Sequence, residues 1–302
     1  MTQTETNFKA GYVAIVGAPN VGKSTLLNHF IGEKLSIVTY KAQTTRHKIT
    51  GILTSEEFQI IFQDTPGYLN PEYLLHERMM GYAKNSIEDS NVVLMMIDAT
   101  KPEPFKNEHL LNHLSINKSV PVFLIVNKID EVTSERVDKL ENEYLELYPM
   151  ISATFKISAE KGTNTKPLLD AIVNLIPVHP PFFPVDDLSI HSIRFFVEEL
   201  IREKIFLQYE MEIPYSTAVQ VTDYKEREGT ADYIEAEIIV ERSSQKIILI
   251  GKNGSKIKEL GKSAREDIEK LVGKPVFIKL FVKVREQWRR NDNFLNSFGY
   301  DK

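Results

Sequence analysis

The residues Gly17-Ala18-Pro19-Asn20-Val21-Gly22-Lys23-Ser24 constrain this chain more than any others. They form a G-x-x-x-x-G-K-S string. It follows the apolar run at residues 12–16 (YVAIV) and opens a helically spaced pattern over Lys23–Ile31. A strand that turns through glycines straight into a helix is the setting in which such a string cradles phosphate. Glycines let backbone N–H groups point inward, and the helix N-terminus adds the positive end of its dipole. Lys23 then brings an ammonium to the β- and γ-phosphates. Ser24, with Thr25 beside it, offers a hydroxyl to Mg2+.

The rest of the first half supplies the fold that this loop needs. Residues 58–62 (FQIIF), 92–97 (VVLMMI) and 122–126 (VFLIV) are short and rich in branched or aromatic residues, which suits strands buried on both faces. Helical spacing lies between and after them, at residues 72–87 and Ser134–Leu147, and the last such helix ends near residues 175–176. Alternating β and α elements predict a mostly parallel sheet with helices on both faces, an α/β domain over residues 1–176.

Two further strings stand at strand ends. Asp64-Thr65-Pro66-Gly67 follows the 58–62 run. A carboxylate at the carboxyl end of a parallel strand is placed to hold Mg2+ through water. Gly67 lets its N–H approach a γ-phosphate without a side chain in the way. Asn127-Lys128-Ile129-Asp130 follows the 122–126 run. An aspartate here accepts from guanine N1–H and from the exocyclic amine, whereas adenine has an acceptor at N1, so the site discriminates bases. Ser158 and Ala159 are expected to close over the base with backbone N–H groups.

In this order the strings resemble the G motifs of Ras-like GTPases, which implies GTP and GDP as ligands with Mg2+. Lys41-Ala42-Gln43-Thr44-Thr45-Arg46 lies where such proteins keep switch I. The resemblance makes Thr45 the Mg2+ ligand of the triphosphate state, with Thr44 as the alternative. Lys23, Thr45, Asp64 and Gly67 are then the catalytic group. Tyr68 departs from the pattern, because many GTPases place a water-orienting glutamine there. Slow intrinsic hydrolysis, or a water held by another group, is expected. Asn20 resembles an asparagine that some relatives use to bind K+; the other reading is an ordinary loop residue.

Composition changes after residue 176. Residues 177–184 read PVHPPFFP, and proline removes backbone donors and fixes φ, so neither helix nor central strand fits. Residues 177–189 are therefore read as a stiff linker. Beyond it, a helix over about residues 191–208 precedes two strands, at residues 218–224 and 231–241. The second alternates Tyr233, Ala236, Ile238 and Val240 with acids. A helical region broken at residues 251–254 (GKNG), a helix over 255–271 and a strand at Val276–Val284 complete the order α-β-β-α-α-β.

Charge sharpens this second domain, residues 190–302. The chain has 37 Lys+Arg and 42 Asp+Glu, a net of −5, which taken alone argues against nucleic acid. Residues 242–290, however, hold 14 Lys+Arg against 5 Asp+Glu, a net of +9. The basic run surrounds Gly251-Lys252-Asn253-Gly254, between two helices. That G-x-x-G loop, the flank Ile247–Ile250 and the element order resemble a type II KH module, an α+β domain that clamps about four nucleotides. Ser255, Lys256, Lys258 and Lys262 extend the implied RNA contact. Trp288 beside Arg289 and Arg290 could stack on a base, but packing on its own domain is the favoured reading.

One G domain with GAPNVGKST, KAQTTRHKITGI, DTPG and NKID, followed by one KH module, resembles the Era family of ribosome-assembly GTPases across nearly the whole chain. The resemblance implies a GTP–GDP cycle, binding near the 3′ end of 16S rRNA, and action in maturation of the 30S ribosomal subunit. It also implies a monomer in the cytoplasm with a peripheral link to the inner membrane. A nucleotide-binding RNA chaperone without productive hydrolysis, or a metabolic kinase, are the alternatives; Asp130 and the KH-like segment speak against the kinase. No cysteine is present, which excludes disulfides and thiolate chemistry. The first ten residues lack an apolar run, so no secretory signal is expected. The longest apolar run, at 92–97, is far short of the ~20 residues of a membrane helix.

Overall fold

A computed structural model of the chain describes residues 7–116 and 119–300. Two compact units result: residues up to Pro71 with Met79–Ile190, and Glu72–Arg78 with residues from His191 onward.

The first unit is built on β1 (Lys9–Gly17), β2 (Ile49–Thr54), β3 (Phe58–Asp64), β4 (Val92–Asp98), β5 (Val122–Asn127) and β6 (Ile151–Lys156). They form one sheet in the order β2-β3-β1-β4-β5-β6. All neighbours are parallel except β2 with β3, which is antiparallel. Helices α1 (Lys23–Ile31), α2 (Leu74–Glu88), α3 (Glu108–Ile116), α4 (Ser134–Leu147) and α5 (Thr165–Leu175) join the strands. All seven residues of β4 are buried, as its unbroken apolar sequence demands. Each fully buried Val, Leu, Ile or Met contributes about 1.5–3 kcal/mol of transfer free energy.

Register decides where the site lies. Ile15 stands opposite Asp64, Gly17 opposite Met96, and Asp98 opposite Asn127. The carboxyl ends of β1, β3, β4 and β5 therefore share one edge of the sheet. The chain order reverses direction at β1, which has β3 on one side and β4 on the other, and ligands of open α/β sheets bind at such a point.

β2 was not evident from the sequence. Its Gly51 is required by packing: a Cβ there would lie 2.7 Å from Leu27 Cδ1 of α1. The proline-rich segment, read as a linker, is a strap on this unit. Ala10 N–H donates to Pro177 O (3.1 Å), and His179 N–H to Phe8 O (2.9 Å). Gln59 accepts from Phe182 N–H (2.7 Å) and donates to Phe183 O (2.9 Å). Ile52 N–H of the edge strand β2 donates to Leu188 O (2.8 Å), so the strap covers an otherwise open sheet edge.

The second unit has the expected order: α6 (Ile193–Gln208), β7 (Ala218–Lys225), β8 (Asp232–Val240), α7 (Ser243–Ile250), α8 (Ser255–Val272) and β9 (Val276–Val284), with a short α9 (Asp292–Ser297). The sheet runs β7-β8-β9, antiparallel and then parallel. Ser192 caps α6, accepting from Phe195 N–H. Val197, Ile201 and Ile205 of α6 meet Ile234, Ala236 and Ile238 of β8, with Leu249, Leu260 and Ile268 closing the core. The apolar face of β8 is thus Ile234, Ala236, Ile238 and Val240. Tyr233 lies on the opposite face, stacked against Phe277 at 5.9 Å, which corrects its placement with Ala236 in the sequence.

Candidate functional site

Residues 17–22 leave β1 through two positions that favour glycine. Gly17 has φ +147° and Gly22 φ +104°. A Cβ on Gly17 would lie 2.2 Å from Met96 O, and one on Gly22 2.2 Å from Asn127 Nδ2. Gly22 is also the N-cap of α1, with no side-chain cap, so the first N–H groups of α1 remain available to an anion. Lys23 is buried, and its ammonium donates to Ala18 O (2.8 Å) at the loop's inner face. Burial lowers its pKa to about 8, against the pull of Asp64. Phosphate oxygens in the loop would restore the full charge.

Asp64 is fully buried at the end of β3. Its Oδ2 accepts from Ser24 Oγ (2.6 Å) and from Ser36 Oγ (2.6 Å). Its Oδ1 has no partner among the described residues. Burial raises the Asp64 pKa, with Lys23, Ser24 and Ser36 opposing. Ser24 Oγ is 3.0 Å from Thr45 Oγ1. Thr44 instead donates to Lys41 O (2.7 Å) and meets Thr39 Oγ1, so of the two threonines only Thr45 faces Ser24. Two hydroxyls and an unpartnered carboxylate oxygen form a hard-oxygen set that fits Mg2+, an ion that binds by one or two protein groups plus phosphate and water. Gly67 packs on the phosphate loop: a Cβ there would lie 2.7 Å from Pro19 Cα. Thr65 Oγ1 donates to Ile15 O (2.8 Å) and fixes the string to β1.

At the other end of the cavity, Asn127 joins two loops. Its Nδ2 donates to Val21 O (2.8 Å) and its Oδ1 accepts from Ala159 N–H (2.9 Å). Lys128 has φ +64°, and its ammonium pairs with Asp98 Oδ2 at 2.7 Å. Asp130 is exposed and pairs with Lys161 at 2.9 Å. Ser158, and then Lys161, hold its carboxyl below the usual range. Asn20, at φ +64°, donates to Tyr40 O (2.8 Å). A cavity of about 380 Å³ is lined by Lys23, Ser24, Thr45, Gly67, Asp98 and Lys128, among others. The separate sequence strings therefore meet around one space.

Three residues in this network carried no sequence signal that was used. Asp98 closes β4 and orients Lys128; burial alone would raise its pKa, but Lys128 and Thr100 hold it down. Its position at a strand's carboxyl end was the available clue. Ser36 supports Asp64. Asn28 clasps the chain beside Ser36, accepting from Leu35 N–H (3.0 Å) and Ser36 N–H (2.8 Å) and donating to Ser36 O (2.7 Å).

The second unit presents its own candidate surface. Gly251 and Gly254 have φ +71° and +75°, and Asn253 between them φ +52°. A Cβ on Gly251 would lie 2.8 Å from Lys256 Cγ. Lys252, Asn253, Ser255, Lys256, Lys258 and Lys262 are exposed. A groove of about 760 Å³ runs between α8 and β9, lined by Lys258, Lys262, Arg265, Phe277 and Lys279. Phe277 is 57% exposed, and no sequence pattern singles it out. Trp288 is fully buried, donates to Ser216 O (2.8 Å) and packs on Phe298 and Tyr300, so it is a core residue and not a stacking platform.

Among the described residues, no helix is long and apolar enough to cross a membrane. Residues 12–128 match the family model of the 50S ribosome-binding GTPases, and residues 212–289 that of the KH domain. The chain is 41% identical to the chloroplastic GTPase ERA-like protein of Arabidopsis thaliana, over 98% of this chain and 69% of that one. It is 39% identical to GTPase Era of Leuconostoc citreum, over 99% and 98% respectively. A solved structure of Era in complex with MgGDPNP and nucleotides 1506–1542 of 16S ribosomal RNA superposes with a TM-score of 0.93, at 39% identity, covering 98% of this chain and 100% of that one. A glycine-turned loop after β1, an Asn-Lys-Ile-Asp string after β5 and a glycine-bracketed basic loop thus occur in one chain alongside these near-full-length matches, and the chain belongs to the Era GTPase family.

Proposed function

We propose that residues 1–176 bind and hydrolyse GTP, and that residues 190–302 bind 16S rRNA near its 3′ end during 30S subunit maturation. The observation that carries the first part is the convergence of Lys23, Ser24, Thr45 and Gly67 on one cavity that also reaches Lys128, with Asp64 held behind Ser24. In this reading residues 17–25 wrap the phosphates with backbone N–H groups, and Lys23 balances their charge. Ser24, Thr45 and Asp64 would hold Mg2+, which would supply charge neutralisation to the phosphates. Gly67 N–H meets the γ-phosphate. Asn127 sets the distance between the phosphate and base loops, Asp130 accepts from guanine, and Ser158 and Ala159 cover it.

Tyr68 does not orient the attacking water, because its ring is buried. That role falls to backbone groups or to a cation beside Asn20, where K+ would offset transition-state charge. For the RNA, residues 251–255 approach the backbone, with Lys256, Lys258 and Lys262 in support. Phe277 and the free edge of β9 offer stacking and hydrogen bonds to bases. A cytoplasmic monomer with peripheral membrane contact follows from the family resemblance alone.

Asp130→Asn tests the base site. Replacing an acceptor by an amide should move preference from GTP to xanthosine triphosphate in a competition titration; an unchanged preference for guanine refutes the assignment.

A further inference from the structure

Tyr68 stands where a water-orienting side chain is common, yet it is only 1% exposed. Three contacts hold it. Its N–H donates to Gly17 O of the phosphate loop at 2.9 Å. Its ring lies inside the unit, tilted against the His113 ring with centroids 5.8 Å apart. Its hydroxyl is 2.9 Å from His113 Nδ1 on α3. Burial raises the tyrosine pKa, so the phenol keeps its proton. Burial first, then Lys84 and His109, lower the His113 pKa against Glu88, so the ring is neutral near pH 7. The two neutral groups thus share one hydrogen bond, whose direction follows the His113 tautomer. The residue before Tyr68 is Gly67, which is pressed on Pro19 so closely that a Cβ would be 2.7 Å from it. Gly67 N–H donates to no protein group among the described residues.

We propose that His113 is a positioning residue for the hydrolysis site: by holding the Tyr68 hydroxyl, it fixes the Gly67 amide against the phosphate loop, aimed at a γ-phosphate. The inference rests on the reading of Gly67 as the γ-phosphate donor. A peptide between two pinned points has little freedom, and Tyr68 is pinned on one side by Gly17 O and on the other by α3. Releasing the hydroxyl leaves a buried phenol without a partner in the native position, which favours a shift of residues 67–68. On that reading such a shift bears on the γ-phosphate, the group that GDP lacks. His113 thus bears on discrimination between triphosphate and diphosphate, and not on nucleotide affinity in general.

The test compares affinities for GDP and for the non-hydrolysable analogue GDPNP in His113→Leu, Tyr68→Phe and the double variant, with His113→Asn as the rescue. Asn places a side-chain amide, with both an acceptor and a donor, close to the position of Nδ1. Each single variant should lower the GDPNP-to-GDP affinity ratio about five- to tenfold with GDP affinity unchanged, about what the loss of one buried hydrogen bond produces. The double variant should be no worse than either single one, and His113→Asn should recover most of the ratio. An unchanged ratio in folded protein, an equal fall in GDP and GDPNP affinity, or additive single effects would each overturn the proposal. Gly67→Ala separates the two layers. If it leaves the ratio intact, the Gly67 assignment fails and the proposal falls with it. If it lowers the ratio while His113→Leu does not, the positioning role alone is wrong.

Discussion

Gly22 and Asn127 form a contact whose energy can be read by a double-mutant cycle. Gly22 has φ +104°, and a Cβ on it would sit 2.2 Å from Asn127 Nδ2. That same amide nitrogen donates to Val21 O, and the carbonyl of the side chain accepts from Ala159 N–H. Gly22→Ala therefore does two things. It forces an L-residue into the left-handed region, at about 1–3 kcal/mol. It also pushes Asn127 out of both bonds, each of which leaves a buried backbone group unpaired at about 1–3 kcal/mol. Asn127→Ala removes the same two bonds directly. In that background the methyl added by Gly22→Ala meets nothing closer than Met96 Cε at 3.4 Å, so only the backbone strain remains. The effect of Gly22→Ala should thus be smaller in the Asn127→Ala background by about 2–6 kcal/mol, at least a factor of roughly 30 in an equilibrium constant. Urea unfolding without nucleotide and titration with a fluorescent GDP read the two parts of this energy, and their sum closes the cycle. Equal effects of Gly22→Ala in both backgrounds, within about 0.5 kcal/mol, would show that Asn127 does not tie the loops together.

Three other outcomes follow from particular groups. Gly254→Asp puts a side chain at φ +75° and a negative charge in the basic loop; it should weaken binding of a 16S 3′-end RNA at least tenfold in a fluorescence titration and leave GTP affinity within twofold. A joint loss of both would refute the assignment of RNA and nucleotide to separate units. Burial raises the Glu198 pKa from 4.5 to about 7, while Val221 N–H donates to its Oε1 (2.7 Å). Because the folded-state pKa lies above the unfolded one, the contribution to stability is full below pH 4.5 and is lost as pH rises through about 7. Thermal unfolding of the native chain should therefore lose Tm between pH 5 and 8, and Glu198→Gln, which keeps the acceptor, should flatten that slope. Finally, GTP turnover should be faster in KCl than in NaCl, and Asn20→Ala should abolish the difference; equal rates for the native chain in both salts would remove the K+ site.

The nucleotide strings were legible because their chemistry is made mostly by backbone. A cradle of N–H groups needs glycine at fixed places, and Gly17, Gly22, Gly67, Gly251 and Gly254 leave that mark in the sequence. Buried strands were legible for a similar reason: β4 and β5 are apolar at nearly every position. β2 was missed because its Gly51 accommodates Leu27 of a helix, a contact between elements that no local pattern encodes. The strap at residues 177–190 forms neither helix nor strand, as its prolines dictate, but its attachment depends on Gln59, more than a hundred residues away. Tyr233 breaks the alternation of β8 because an aromatic residue fits either face of a half-buried strand.

The residues of the nucleotide site that carry no sequence signal share one property: each acts on another side chain or on the chain itself rather than on the ligand. Asp98 holds Lys128, Ser36 holds Asp64, and Asn28 holds the chain at Ser36. Their partners come from other elements, so their spacing in the sequence is arbitrary and their residue types are ordinary. A backbone-built cradle loses its fit when Gly17, Gly22 or Gly67 is replaced, since a Cβ there would lie within 3 Å of Met96 O, Asn127 Nδ2 or Pro19 Cα. A supporting pair fails by degrees, since an acceptor can be replaced by another acceptor of similar reach. Substitutions at Gly17 and Gly22 should thus cost nucleotide binding more than substitutions at Asp98 and Ser36, whose effect should follow the hydrogen bond each one keeps. The sharply constrained half of the site is the half that a single sequence reveals, and the graded half becomes visible only once β3, β4 and β5 bring Asp64, Asp98 and Asn127 to one edge.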